Sequence, residues 1–235
     1  MELRQIQELT NLMLESLVDH FLVDGFEFHN MKSLTAFAKE YSEAMRKQDF
    51  NHVLQSTNMV IQNSPRDHLE EITVSYLWQG IAHVYRANDS LSKSIIPIEM
   101  IHFGNTVGIS EITPETEYTN AINAFDNALQ IHPVMFAEQI YAHFLKGIVH
   151  YQREELSAAV LDFRSAIAAK DDRAINYALL ADTLFRIDER ANKAEAKELA
   201  SIALRKIEPI PQSARINGQK KAELLAMAVI VYYNQ

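Results

Sequence analysis

AINAFDNALQIHP, residues 121–133, is the stretch that decides the fold: Ala121, Phe125, Ala128 and Pro133 stand in the order A-x3-F-x2-A-x4-P. Positions i, i+4 and i+7 share one face of a helix, so two small residues there flank one aromatic. Proline ends such a helix, because it has no N–H to donate and its ring crowds the preceding turn. AVLDFRSAIAAKD, residues 159–171, repeats the pattern with Ala159, Phe163 and Ala166, each 38 positions further on, and with Asp171 in place of the proline. AKELASIALRKIEP, residues 196–209, is a looser third copy carrying Ala196, Ala200 and Ala203, with Pro209 one place late.

Working outward, each copy follows a second helical stretch with a small residue where two helices would touch. YAHFLKGIVHYQREEL places Gly147 before the Ala159 copy, and YALLADTLFRI places Ala181 before the Ala196 copy. A more degenerate unit runs from Phe37 to Pro65, with Thr57 and Val60 at the aromatic and small positions, and a helix over about 69–87 carries Gly80 at the small-residue place.

This arrangement resembles the tetratricopeptide repeat, a 34-residue helix-turn-helix unit whose small residues let two antiparallel helices approach while an aromatic fills the gap. The resemblance covers about residues 37–209 and implies an all-α, right-handed α-solenoid of antiparallel helix pairs, about four in number, with helices at both ends as caps. The expected organisation is a single domain: an N-terminal capping helix in 1–33, degenerate repeats over 34–209 with an insertion at 88–113, and a C-terminal capping helix in 210–235. Glycine and proline number only 6 each in 235 residues, which fits a chain that is helix almost throughout.

The resemblance also implies a function, the binding of another polypeptide's peptide or helix in the concave groove by an adaptor, scaffold or chaperone-like module. In such stacks the first helix of each pair lines the groove, which maps to Tyr141, Phe144, Ile148, Tyr151 and Gln152 in one unit and to Asp182, Phe185 and Arg186 in the next. Large rigid side chains of this kind make binding hot spots, unless a neighbouring helix or the insertion covers them. Chaperone-binding members of the family carry Lys and Asn at inward positions where this chain has Ala38 and Ser42, so that specificity is not expected. The alternative reading is a sensor holding a small signalling peptide or metabolite in the same groove.

Composition narrows the classes further. Hydrophobic residues make up 48% and charged ones 23%, ordinary for a folded chain. Residues 1–135 carry 8 basic and 18 acidic side chains and residues 136–235 carry 14 and 13, so the overall −9 sits in the first half. Phosphate backbones and anionic lipid would repel that half, and neither nucleic acid nor membrane is expected as a partner. Between Arg186 and Lys221, in contrast, nine basic residues face five acidic ones, either solvated helix faces or a patch for an acidic partner.

Nothing in the sequence points to catalysis. There is no cysteine, hence no thiolate nucleophile or thiolate metal site. His143 and His150 are seven residues apart, not the i, i+4 of a zinc-binding helix, and the expectation is no metal and no cofactor. The segment GNTVG, residues 104–108, lacks the Lys and Ser/Thr of a phosphate-binding loop. The first residues lack the pattern of a signal peptide and no uncharged apolar run is long enough for a membrane span, so a cytoplasmic protein is expected. Within the insertion, SIIPIEMIHF is too apolar to be a free linker. A short helix over 97–103 is expected, either docked on the chain's own concave face or pairing two subunits as a homodimer contact through 95–103.

Overall fold

A computed structural model of the chain describes residues 39–41, 43–65, 67–94, 113–131, 136–215 and 217–234. The expected N-terminal cap in 1–33 and the apolar centre of the insertion, 95–103, lie outside the described residues, as does Pro133. Of the described residues 82% are helical and none is in a strand.

Residues 39–41 and 43–46 are helical, and eight longer helices follow: α1 Phe50–Asn63, α2 Leu69–Ser94, α3 Pro114–Gln130, α4 Phe136–Gln152, α5 Leu156–Ala168, α6 Ala174–Ile187, α7 Lys193–Ile207 and, after a 3-10 turn at Gln212–Ala214, α8 Asn217–Tyr233. Several ends can be read from local chemistry. The Asp49 carboxylate accepts from the His52 backbone N–H at 3.1 Å and caps α1. Thr113 does the same for α3 through Thr116 at 3.2 Å, with Pro114 in the first turn where its missing N–H does no harm. Three turns use a residue with positive φ in place of glycine: Gln48 at 59°, Glu154 at 60° and Lys170 at 77°. After each the backbone bonds back to the helix, as in Glu155 N–H to the His150 carbonyl at 2.9 Å and Asp171 N–H to the Ala166 carbonyl at 2.9 Å, which closes the C-terminus.

The helices pack as sequence neighbours. α2 lies most extensively against α3, α4 against α5 and α6 against α7; each pair leans on the next through α3–α4, α5–α6 and α7–α8, while α8 also contacts α6. The repeated motif is the close contact. Ala121, Phe125, Ala128, Ala159, Phe163, Ala166, Ala196, Ala200 and Ala203 are all buried at 0–1% exposure. A Cβ added at Gly80 would come within 2.2 Å of the Phe125 ring, and one at Gly147 within 2.7 Å of the Phe163 ring. The two glycines are therefore sockets for the two repeat phenylalanines. Ala181, the third small residue, is also fully buried.

One boundary differs from the expectation. The insertion does not begin at residue 88, because α2 runs on to Ser94. Ala87 is fully buried, and the Tyr118 hydroxyl on α3 donates to the buried Asn88 side chain at 2.7 Å. The added turns thus gain contacts that helix propensity alone does not supply.

Candidate binding surface

The α4 stripe is the first place to look, and it is covered. Tyr141, Phe144, Ile148 and Tyr151 are exposed by only 7%, 1%, 2% and 2%. Instead of lining an open face they are core, and the cause is the next helix pair. The Phe144 ring meets the Phe163 ring with centroids 6.2 Å apart, and the Arg173 guanidinium lies 4.3 Å above Phe144 and 4.9 Å from the Tyr141 ring centre. Asp171, itself buried, holds Arg173 in place by a two-pronged pair at 2.7 and 2.5 Å. At the other end of α4 the Tyr151 hydroxyl donates to Asp182 at 2.5 Å, while Arg186 stacks at 4.8 Å on the Tyr151 ring and pairs with Glu154. Burial holds the Asp182 carboxyl above the usual carboxylate range, and the Tyr151 hydroxyl and Arg186 pull it partway back. Burial also raises the Tyr151 phenol, reinforced by the Asp182 charge, so it stays a donor at neutral pH. Gln152 is half-buried; neither polar atom of its side-chain amide has a partner.

A second face of α4 is polar and equally occupied. His143, Lys146, His150 and Arg153, at helical spacings of three and four, meet the acids of α3 and α5. Lys146 pairs with Asp126 at 2.7 Å and lies 3.6 Å from the buried Asp162. The two ring nitrogens of His150 are 2.5 Å from Glu155 and 3.5 Å from Asp162, and His143 is 3.9 Å from Asp162. Arg153 ties Glu155, at 3.0 Å, to Glu115. The two histidines that draw attention in the sequence thus sit in a polar seam between three helices. Among the described residues no group of three His, Cys, Asp or Glu side chains is arranged to hold a metal ion.

α8 offers the opposite situation. Its inner side, Ala222, Leu225, Ala226, Val229 and Tyr233, is buried, and its contacts are with α6 and α7. Its outer side is also apolar: Leu224 is 66% exposed, Met227 47%, Val231 53% and Tyr232 46%, with exposed Ala228 among them. These sit at i, i+3, i+4, i+7 and i+8, a continuous stripe along the helix. The end of the stripe opens into a depression of about 370 Å³ lined by Glu189, Arg190, Lys193, Tyr232 and Tyr233. Phe185, Tyr232 and Tyr233 form a three-way edge-to-face cluster there, with centroids 4.7 to 5.6 Å apart. The carboxylate of Glu189 accepts from the Tyr232 hydroxyl, its backbone carbonyl accepts from Tyr233 at 2.7 Å, and Lys193 lies 5.5 Å from the Tyr233 ring centre. Exposed Arg190, Lys193 and Lys220 and half-exposed Lys197 give the stripe a basic border. Acids share this border: the Glu189 carboxylate accepts from Tyr232, Glu223 pairs with Arg215 at 2.6 Å, and Asp188 and Glu198 are exposed.

Of the groove residues expected from the sequence, only Phe185 joins this surface. Asp182 and Arg186 are half-buried and turned to Tyr151. The signal for α8 was nonetheless present: AELLAMAVIVYY, residues 222–233, has a single charge in twelve positions, and a helix apolar all round is either enclosed or a binding element. No helix among the described residues is long and apolar enough to cross a membrane. Comparison of the chain with models of protein families, with curated proteins and with solved structures finds no match to any of them.

Proposed function

We propose that this chain is a protein-binding module of tetratricopeptide-like, right-handed stacked helix pairs, and that it captures an amphipathic helix of a partner on the outer face of α8. The observation that carries the reading is the exposed stripe Leu224, Met227, Val231 and Tyr232. Single exposed apolar residues are ordinary, but four on one helix face beside an aromatic-lined depression are what helix-in-groove recognition uses. The repeated Gly–Phe sockets and buried alanines support the architecture, since they space the helices as a tetratricopeptide unit does. The basic border favours a partner helix with acidic flanks, through faster and more selective encounter more than through raw affinity. The binding role falls to the end of the array, not to the α4 stripe.

The test is site-specific photo-cross-linking in cells, with a benzophenone amino acid placed singly at Leu224, Val231, Met59 or Leu161. The last two are as exposed as the first two, at 64% and 67%, but lie on α1 and α5. One polypeptide, identified by mass spectrometry, is expected at positions 224 and 231 and not at 59 or 161. Adducts that are absent, or equally frequent at all four, overturn the reading.

A further inference from the structure

The order of side chains along the exposed stripe of α8 makes it complementary to itself. We infer that the helix it takes is α8 of a second copy of this chain, lying antiparallel across a two-fold axis at Ala228; this rests on the reading of that face as a docking surface and names its partner. Ala228 is exposed and stands midway between Leu224 and Tyr232, the two ends of the stripe. In an antiparallel pair centred there, position 224 of one copy faces position 232 of the other, so a leucine meets an exposed tyrosine ring at both ends of the contact. A small residue suits the axis, because the side chains at a helix crossing set its separation within about 8–10 Å and alanine admits the closer end of that range. The chain packs its own helices in the same way, with Gly80, Gly147 and fully buried alanines where two helices touch.

Charge sets the direction of the pair. Lys220 is exposed one turn before Leu224. At the other end of the stripe Asp188, Glu189 and Glu198 balance Arg190, Lys193 and Lys197. Antiparallel pairing therefore brings Lys220 of each copy to a near-neutral end that includes Glu189, the acceptor of the Tyr232 hydroxyl. Parallel pairing would set Lys220 against Lys220. The helix dipoles act in the same sense, since antiparallel helices place each N-terminus beside a C-terminus. Four side chains about half exposed on each copy, with the mixed border around them, make a contact below about 1,200 Å² in total, the size of weak and transient complexes. The dimer is accordingly expected to be reversible, with a dissociation constant of roughly 10–100 µM.

Sedimentation of the full chain, measured from about 1 µM to about 500 µM, tests the pairing. The mass should rise from monomer towards dimer. Met227→Asp, a charge placed beside the axis at a position that is 47% exposed, should stay monomeric with unchanged helical circular dichroism. The chain has no native cysteine, so single cysteines report the orientation. Ala228→Cys, on the axis, should oxidise to a disulfide-linked dimer at least about tenfold faster than Lys220→Cys, because two copies of position 220 lie about 24 Å apart in the antiparallel pair and a disulfide needs Cα atoms within about 7 Å. A chain that is monomeric throughout, a dimer that Met227→Asp leaves intact, or a disulfide that forms at 220 as fast as at 228 overturns the inference. Photo-cross-linking from positions 224 and 231 separates this inference from the reading it rests on. Adducts between two copies of the chain support both. Adducts with a different polypeptide alone, beside a monomer in solution, sink the second copy and leave the binding reading standing, and a monomer with no adduct of any kind sinks both. A disulfide at 228 with no adduct in cells keeps the pairing and removes the cellular binding role.

Discussion

α4 and α8 each present an aromatic-containing stripe along one side of the helix. On α4 the stripe is Tyr141, Phe144, Ile148 and Tyr151; on α8 it is Leu224, Met227, Val231 and Tyr232. The first is 1–7% exposed and the second 46–66%. Their composition does not account for the difference. α4 is followed by a further pair, whose Arg173 and Arg186 stack on its aromatics and whose Asp182 accepts from its phenol, while α8 is the last described helix. A stripe of this kind is core where a following helix pair lies on it, as on α4, and surface where none of the described helices does, as on α8.

Truncating one residue from the α4 stripe should therefore have the largest effect. Phe144→Ala removes a ring that is 1% exposed, faces Phe163 and carries Arg173 on its face. A loss of about 3–5 kcal/mol is expected from chemical denaturation, as for other large-to-small changes of buried aromatics. A loss below about 1 kcal/mol would mean that the stripe is open in solution, and the contrast with α8 would collapse.

The sockets come next. Gly80→Ala adds a methyl group that would lie 2.2 Å from a Phe125 ring that is fully buried and has nowhere to move. Ala favours a helix interior over Gly by about 1 kcal/mol, but overpacking of this kind costs about 1–3 kcal/mol, so a net fall in melting temperature is expected. An unchanged or raised melting temperature would show that the helix pairs are not held at this spacing by the Gly–Phe contact.

A pH experiment sharpens the account of how α4 is covered. The folded-state pKa of Asp182 is raised, mainly by burial, so the folded chain holds that proton more tightly than the unfolded chain. Stability from this group is full below the unfolded carboxyl value of about 3.9 and is lost as pH rises from there through the raised folded value. Asp182→Asn keeps an acceptor for the Tyr151 hydroxyl and removes the titration. Its melting temperature should fall less than the wild type's as pH rises through that window, and a parallel fall in both proteins would mean that Asp182 is solvated and α4 less tightly covered.

How much of this was legible beforehand depended on whether a feature is local. The Ala–Phe–Ala spacing and the small residues at 80, 147 and 181 follow from helical geometry, and the structure sets Gly80 against Phe125 and Gly147 against Phe163 and buries Ala181. The turns were harder to read, because Gln48, Glu154 and Lys170 take the left-handed conformation that glycine usually marks. The end of α2 was misplaced because tertiary bonds such as Tyr118 to Asn88 extend it. The groove residues could not be resolved from sequence at all, since helical periodicity says which residues share a face but not whether a later helix lies on that face. The uniform apolarity of 222–233 was visible, but its meaning depends on which helices pack against α8.

The smallest stability effect, and the one that most directly separates the two stripes, is expected on the outer face of α8. Leu224→Asp together with Val231→Asp replaces two residues that are 66% and 53% exposed, so neither truncation opens a cavity and neither new carboxylate is buried. Asp is a poorer helix former than Leu or Val, and two substitutions in one helix amount to less than about 1 kcal/mol from propensity. The basic border of Arg190, Lys193 and Lys220 returns part of that by attraction. The double variant should thus unfold within about 1 kcal/mol of the wild type, while losing the partner adducts that a benzophenone amino acid at Met227 gives in the unsubstituted chain, because its new charges would have to be desolvated beneath any docked helix. A large fall in stability would instead place Leu224 and Val231 under another part of the same chain through most of the folded ensemble, in which case the outer face of α8 is a covered core like α4 and the binding surface must lie elsewhere.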